Sequence, residues 1–428
     1  MTCTSPSGTV RACAVDSPGP VAHLPSYIHI TRLEQAIGGT SPARAARRER
    51  KPLPLTPAHA RPVRPAVDIT AKWLPRWLAP NLITLTGLIT LLSSYVVIVY
   101  HDVDFSGGVP QWNYLVAGIG LFIYLHLDCL DGKQARSTGT SSPLGQLFDH
   151  GCDAFAVHLV LLMMMTSLQL SHDWKVVAAM LYVFIPWWLA HWEEYHTGVM
   201  VYGSGLWGVT EALYAVFGIH MYTYFVGPIG WGWRPFANTF TEEHLRGNAV
   251  SQALAAMPLN EVLLVSCGMA GIGLFCQQVD RVYRLTGTKL LLKTSLPLEE
   301  RGDKQLGHWA ATSHLLQILW TCIGCGTLLM LPVVPKHHAR ALFEIHGINY
   351  AFQATRLILA HMAKVPFEIA VWPNVLIGVQ LANHVLKLHD PVQVAYAVLA
   401  GISVMYLVYV TRVIGEICRS LGIRALTI

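Results

Sequence analysis

The sequence predicts an all-α, polytopic membrane protein with about ten transmembrane helices, preceded by an interfacial amphipathic helix. Two observations carry that expectation. Of 428 residues, 53% are hydrophobic and only 13% are charged, against about 25% charged in an ordinary soluble domain. So few charges cannot coat a surface that faces water. Apolar runs of roughly 20 residues also recur along the chain, the length a helix needs to cross the hydrocarbon layer. A single large soluble core has no reason to repeat that length. The net charge of +5 suits an anionic lipid surface, and no long basic stripe with interleaved aromatics points to nucleic acid.

Taken in order, residues 1–66 are rich in Pro, Ala, Ser and Arg. They bury too little apolar area to offset the entropy of ordering, so this stretch is expected to be mostly disordered. Arg44, Arg47, Arg48, Arg50 and Lys51 form a basic patch within it, either a solvated tail or a weak contact with anionic lipid. The first 70 residues have no apolar segment of the signal-peptide kind, so the first transmembrane helix is expected to act as an uncleaved signal. Over 67–79, Trp73, Leu74, Trp77 and Leu78 recur beside Lys72 and Arg76. That is the pattern of a short helix in the interface, with its Trp rings at headgroup depth.

Membrane segments follow at 82–100, 112–130, 144–170, 173–192, 206–226, 258–281, 309–331, 340–364, 367–386 and 391–412. An even number of spans places both termini on one side, and Lys and Arg favour the cytoplasmic face. The N-terminal region, the basic 281–304 connection and the C-terminus with Arg412, Arg419 and Arg424 then share that face. The 101–111 loop, with Asp102 and Asp104, lies opposite, where Lys336 and Arg340 are minor exceptions. The expected units are an N-terminal region (1–66), a block of interfacial helix and first membrane helices (67–230), further membrane helices (231–412) and a cytoplasmic tail (413–428). The nine cysteines are scattered. Cys322 and Cys325 form a C-x-x-C inside an apolar run, where helix packing is a better account than metal or redox chemistry.

The chemistry concentrates in one helix–loop–helix. Carboxylates near membrane depth are costly and functional by default, and here Asp128, Asp131, Asp149 and Asp153 fall close together. Spacings of three and four put each pair on one helix face, and the short connection makes the two helices antiparallel neighbours. Four unneutralised anions repel strongly at low dielectric. Divalent cations with oxygen ligands relieve this, and Mg²⁺ or Mn²⁺ suits carboxylates combined with a substrate phosphate. Gly132, Ala135 and Gly145 leave room for close approach of a helix or a pyrophosphate. Arg136 has the fork geometry for a phosphate oxygen. The competing account is an acidic cluster that only packs or conducts ions.

The pattern D-x2-D-G-x2-A-R-x8-G-x3-D-x3-D, running from Asp128 to Asp153, resembles the signature of the CDP-alcohol phosphotransferase family at every fixed position. The stretches Pro80–Gly87, Asp131–Arg136, Ser142–Asp153, His191–Gly198 and Arg356–Met362 are similar to the eukaryotic choline/ethanolamine phosphotransferases. The resemblance implies that Asp128, Asp131 and Asp149 hold two divalent ions bridging the pyrophosphate of a CDP-alcohol, with Asp153 completing the metal site and serving as the usual candidate base. It places Asn81, Gly132, Ala135 and Gly145 near the nucleotide and Arg136 near phosphate. It also implies a diacylglycerol or alkyl-acyl-glycerol acceptor and release of CMP. A homodimer and residence in the endoplasmic reticulum or Golgi, with the active site facing the cytoplasm, come with it. The 67–230 block becomes the catalytic unit, and 231–412 the lipid-substrate chamber and dimer contacts.

The base has a second candidate arrangement. An Asp that ligates cations is a weak proton acceptor, whereas His150 lies beside the cluster and Glu211 could orient it. Glu193 and Glu194, with Trp192 and Tyr195, either are solvated at the interface or receive the ammonium of the alcohol. His126, His158 and His314, among 20 histidines, read as hydrogen-bonded core residues. Weighed against the choline/ethanolamine reading are a synthase using inositol or glycerol phosphate, a membrane ion transporter with an acidic metal site, and an inactive scaffold.

Overall fold

The computed structural model describes residues 64–103, 108–170, 174–198, 208–240, 248–285 and 339–428, together with 200, 314 and 315. The Pro/Arg-rich region before residue 64, most of the basic 281–304 connection, and all but two residues of the expected 309–331 helix lie outside this set, as do Cys322 and Cys325. Among the described residues the chain is helical, with eleven α-helices and no sheet. They are α1 (Arg64–Trp73), α2 (Pro80–His101), α3 (Trp112–Thr138), α4 (Pro143–Ser167), α5 (Trp174–Thr197) and α6 (Val209–Val226). After the 3₁₀ turn Pro228–Gly232 come α7 (Ala249–Ala256), α8 (Leu259–Leu285), α9 (Ala339–Ala363), α10 (Val371–Leu386) and α11 (Pro391–Leu421).

Nine of the expected membrane segments are therefore helices. Six of them (α2, α3, α4, α5, α8 and α11) are long and apolar enough to cross a membrane. α6 and α10, with 18 and 16 residues, reach only about 27 and 24 Å at 1.5 Å per residue. α9 is 25 residues long but carries Arg340, Glu344 and Arg356. It tolerates them because nearly every residue along it is buried against other helices, so no face of it needs to match lipid.

Boundaries moved for local reasons. The amphipathic segment is helical only to Trp73, because Pro75 interrupts it, and Trp77 and Leu78 follow in a turn. Trp73 and Trp77 remain 82% and 74% exposed, as interfacial anchors are. α3 continues past 130 to Thr138, so the first half of the acidic motif, Asp128–Arg136, is helical throughout. α11 runs to Leu421, and half of the expected tail is helix.

α2, α3 and α4 form the unit that positions the site. α2 starts with Pro80 in its first turn, where a missing N–H costs nothing. A side chain at Gly120 of α3 would overlap Ser94 of α2, so that glycine sets how closely the two helices cross. Gly139, at φ +71°, ends α3 in the left-handed region. Three residues later the Ser142 hydroxyl accepts from the Gly145 N–H at 3.1 Å and starts α4 as its N-cap.

Buried charges elsewhere are matched. Arg340 of α9 lies 3.4 Å from Asp102 and donates to Thr166 at 3.2 Å. It is thus no loop cation, which accounts for its standing against the positive-inside pattern. Glu193 of α5, 1% exposed, is held at 2.6 and 2.9 Å by Arg281 of α8. His158 pairs with Glu344 at 3.3 Å. His126 bonds the Phe122 carbonyl at 2.7 Å. His126 is thus hydrogen-bonded, whereas His158 is buried beside Glu344 with neither ring nitrogen in a hydrogen bond.

Candidate metal and phosphotransfer site

Asp128 and Asp131 project from α3 towards Asp149 of α4. One carboxylate oxygen from each lies within 4.8 Å of the others. No Lys, Arg or His among the described residues forms an ion pair with any of them. Asp131 is buried, and Asp128 and Asp149 are half-buried. Three carboxylates converging without a protein cation fit a hard divalent ion, which takes oxygen ligands and cancels their repulsion.

Asp153 stands one turn further along α4, outside that group of three. The Tyr124 hydroxyl donates to it. Thr84 of α2 donates to Asp131, so α2 orients a carboxylate it does not itself carry. Gln134 ties the same region together: its amide donates to the carbonyls of Pro75 and Leu78 at 2.8 and 2.9 Å. This fixes the chain between α1 and α2 against α3.

The residues expected around substrate are brought together only in part. Asn81 meets Gly145 across the starts of α2 and α4: a Cβ on Gly145 would stand 3.6 Å from Asn81 Oδ1. The exposed Arg136 guanidinium lies over Gly132, with Nη1 3.4 Å from where a Cβ would be. Ala135 is half-buried on the same turn. Glu211 is not joined to His150. Its carboxylate accepts from the Gly208 N–H at 2.9 Å and caps the start of α6. His150 instead stacks on His191 of α5 at 5.7 Å. His191 also lies 4.0 Å from the Trp187 ring. The Nδ1 of His150 and both ring nitrogens of His191 are buried without a hydrogen-bond partner. Of the residues considered for an ammonium group, Glu193 is already matched by Arg281. Trp192 and Tyr195 are buried, and the Tyr195 hydroxyl donates to Val365 O at 3.2 Å and accepts from Phe367 N at 3.0 Å.

Thr84, Tyr124, Gln134 and His191 were not picked out beforehand as parts of the site. Tyr124 lies four residues before Asp128 and Thr84 three after Asn81, so helical spacing could have flagged both. Nothing in the sequence pairs Gln134 with the α1–α2 turn.

Membrane-length helices around three converging carboxylates, with no ion-paired cation among the described residues, define an integral membrane protein whose site fits a divalent ion. The profile of the CDP-alcohol phosphatidyltransferase family matches residues 77–234, which span α2 to α6 and hold every acid of the motif. The chain is 37% identical over 322 residues to cholinephosphotransferase 1 of Rattus norvegicus, covering 72% of this chain and 70% of that protein. Identity is also 37% to cholinephosphotransferase 1 of Bos taurus, at 72% and 68% coverage. It is 31% over 307 residues to uncharacterized CDP-alcohol phosphatidyltransferase class-I family protein 3 of Dictyostelium discoideum, at 71% and 74% coverage. The chain belongs to the CDP-alcohol phosphatidyltransferase family. It is a phosphotransferase of phospholipid synthesis, and its family uses divalent metal and acts on a CDP-alcohol and a lipid acceptor.

Proposed function

We propose that this enzyme transfers phosphocholine, phosphoethanolamine or both from the CDP-alcohol to diacylglycerol (or an alkyl-acyl-glycerol), giving the corresponding phospholipid and CMP. The observation that carries the reading is the convergence of Asp128, Asp131 and Asp149 without a protein cation, in a chain similar to cholinephosphotransferases over most of its length. By resemblance the stretch 192–198 leans slightly to ethanolamine enzymes while 209–211 is equally similar to dual-specificity ones, so both head groups belong in the test.

Asp128, Asp131 and Asp149 would hold two Mg²⁺ or Mn²⁺ ions, with Asp153 at the edge of the site. Bound there, the ions supply neutralisation of the pyrophosphate and of the charge growing on the departing CMP oxygen. The chain's own groups do the rest. Thr84 holds Asp131 in one rotamer, and Tyr124 occupies a lone pair of Asp153. Arg136 offers a fork to phosphate from the mouth of the site. The proton of the attacking glycerol hydroxyl passes either to Asp153, which keeps lone pairs beyond the one bonded by Tyr124, or to His150 on the same helix. Glu211 serves α6 rather than this step.

The site faces the cytoplasm of the endoplasmic reticulum or Golgi in this reading. Lys72, Arg76, Lys133, Arg136, Arg419 and Arg424 gather at the end of the bundle where α2 begins and α11 finishes, as cytoplasmic ends do. A soluble nucleotide then arrives from water and the lipid from the bilayer. The helices after 231 would form the lipid chamber and the contacts of a homodimer.

The test is CMP release by the purified enzyme with diacylglycerol and CDP-choline against CDP-ethanolamine in competition. Release with either, lost in Asp131→Ala, supports the proposal. Release only with CDP-diacylglycerol and inositol or glycerol phosphate, or ion flux in liposomes without CMP, overturns it.

A further inference from the structure

The residues that follow α11 fold back on the bundle. At Gly422, φ is +64°. The N–H groups of Gly422 and Ile423 both donate to the Cys418 carbonyl, the latter at 3.1 Å. This αL turn stops α11 and sends the last residues back over the bundle. Ile423 and Ala425 then point inward and pack on the main apolar cluster, while Arg424, Leu426, Thr427 and Ile428 stay exposed. The alternation is that of an extended strap with two apolar anchors.

At its second anchor the strap reaches the site. The Ala425 carbonyl accepts from Asn81 Nδ2 at 2.8 Å across 344 residues of sequence. An asparagine amide can present either its donor or its acceptor end to a ligand, and here one of the two N–H groups of the donor end is committed. With Nδ2 tied to the strap, Oδ1 is left facing Gly145 at the start of α4. The residue presents an acceptor to whatever lies beside it.

We propose that the segment Gly422–Ile428 is a working part of the nucleotide half of the site: through Ala425 it sets the Asn81 amide to accept from a donor group of the nucleotide, a base amino group or a ribose hydroxyl. This rests on the transfer reading above, together with the family resemblance that places Asn81 near the nucleotide. Asn81 is the residue in contact with substrate, and the strap is a positioning element that acts through it. A base amino group then pairs with Oδ1, whereas a base carbonyl at the same place would face another acceptor.

The experiment compares the full chain with a chain ending at Gly422 and with Ile423→Ser, which loosens the first anchor. CMP release is followed while CDP-alcohol and diacylglycerol are varied separately, and CDP-alcohol is replaced by UDP-alcohol in a parallel series. Loss of one neutral hydrogen bond predicts that KM for CDP-alcohol rises about tenfold in the truncated chain, with KM for diacylglycerol within about twofold. The preference for CDP- over UDP-alcohol narrows, and Ile423→Ser moves both readouts the same way by less. An unchanged or lowered KM for CDP-alcohol overturns the proposal, as does an equal rise in both KM values. If the truncated chain does not fold, the Ile423→Ser split between the two substrates decides by the same criteria. Absence of CMP release by the full chain overturns the transfer reading and this inference together. Release with strap-independent constants overturns this inference alone.

Discussion

Asp102 and Asp131 lie at opposite ends of α2, and the protein treats them in opposite ways. Asp102 is 2% exposed and faces the Arg340 guanidinium, which also reaches Thr166 and stands 5.8 Å from the Tyr95 ring. Asp131 is 5% exposed and faces two more carboxylates and a hydroxyl, with no ion-paired cation among the described residues. Burying a charge is costly unless it is paired. The first region carries its own counter-charge and is finished when the chain folds. The second has no such ion pair among the described residues, and in the proposed reading a divalent ion completes it.

The largest expected effect breaks the unfinished region. Asp149→Ala or Asp131→Ala should cut CMP release by on the order of 10³-fold. The unfolding midpoint in metal-free detergent should stay level or rise, because one of the mutually repelling charges is gone. A large drop in that midpoint would make these acids structural. The opposite pattern is expected at the finished region. Arg340→Met should cost about 3–5 kcal/mol of stability by stranding Asp102, measured by unfolding in detergent. KM values of the folded fraction should hardly move, and Asp102→Asn combined with Arg340→Met should recover most of the loss.

Metal addition sharpens the same contrast. Mg²⁺ or Mn²⁺ at about one hundred times its dissociation constant should stabilise the wild type by about 2.7 kcal/mol. Arg340→Met should keep that increment and Asp149→Ala should lose it, as read by thermal shift with and without EDTA. A smaller effect is expected one turn away, where Tyr124→Phe removes the donor to Asp153. Loss of one hydrogen bond corresponds to about a tenfold fall in kcat/KM, with metal-induced stabilisation retained. The smallest concerns the loop joining the acidic helices: Ser142→Ala should cost about 1 kcal/mol of stability through the lost N-cap, seen as a lower unfolding midpoint.

Much of this was legible beforehand because it depends on local spacing. Apolar runs of membrane length became helices, and the three- and four-residue intervals put Asp128 with Asp131, and Asp149 with Asp153, on shared faces. Gly139 and Ser142 stop and start helices by their own backbone and side-chain chemistry. What local spacing misled on was anything whose partner is distant. Local spacing gives Glu193 as a solvated or ligand-receiving acid, whereas Arg281 of α8 pairs with it. Glu211 read as a companion for His150, yet it bonds the backbone three residues away. The strap at 422–428 read as a tail because a few polar and apolar residues after a helix say nothing about where they land.

The sequence by itself determined that this chain lives in a membrane, that it is helical, and that the acids between Asp128 and Asp153 fall on two neighbouring helices. Each of these follows from residue type and short-range period, which the backbone geometry of a helix converts directly into faces and lengths. Only the tertiary structure decided which buried acids have cations, that Thr84 and Tyr124 hold the carboxylates, that His150 meets His191, and that Ala425 closes on Asn81. These are contacts between elements far apart in sequence, set by how whole helices pack, and no local pattern encodes their pairing.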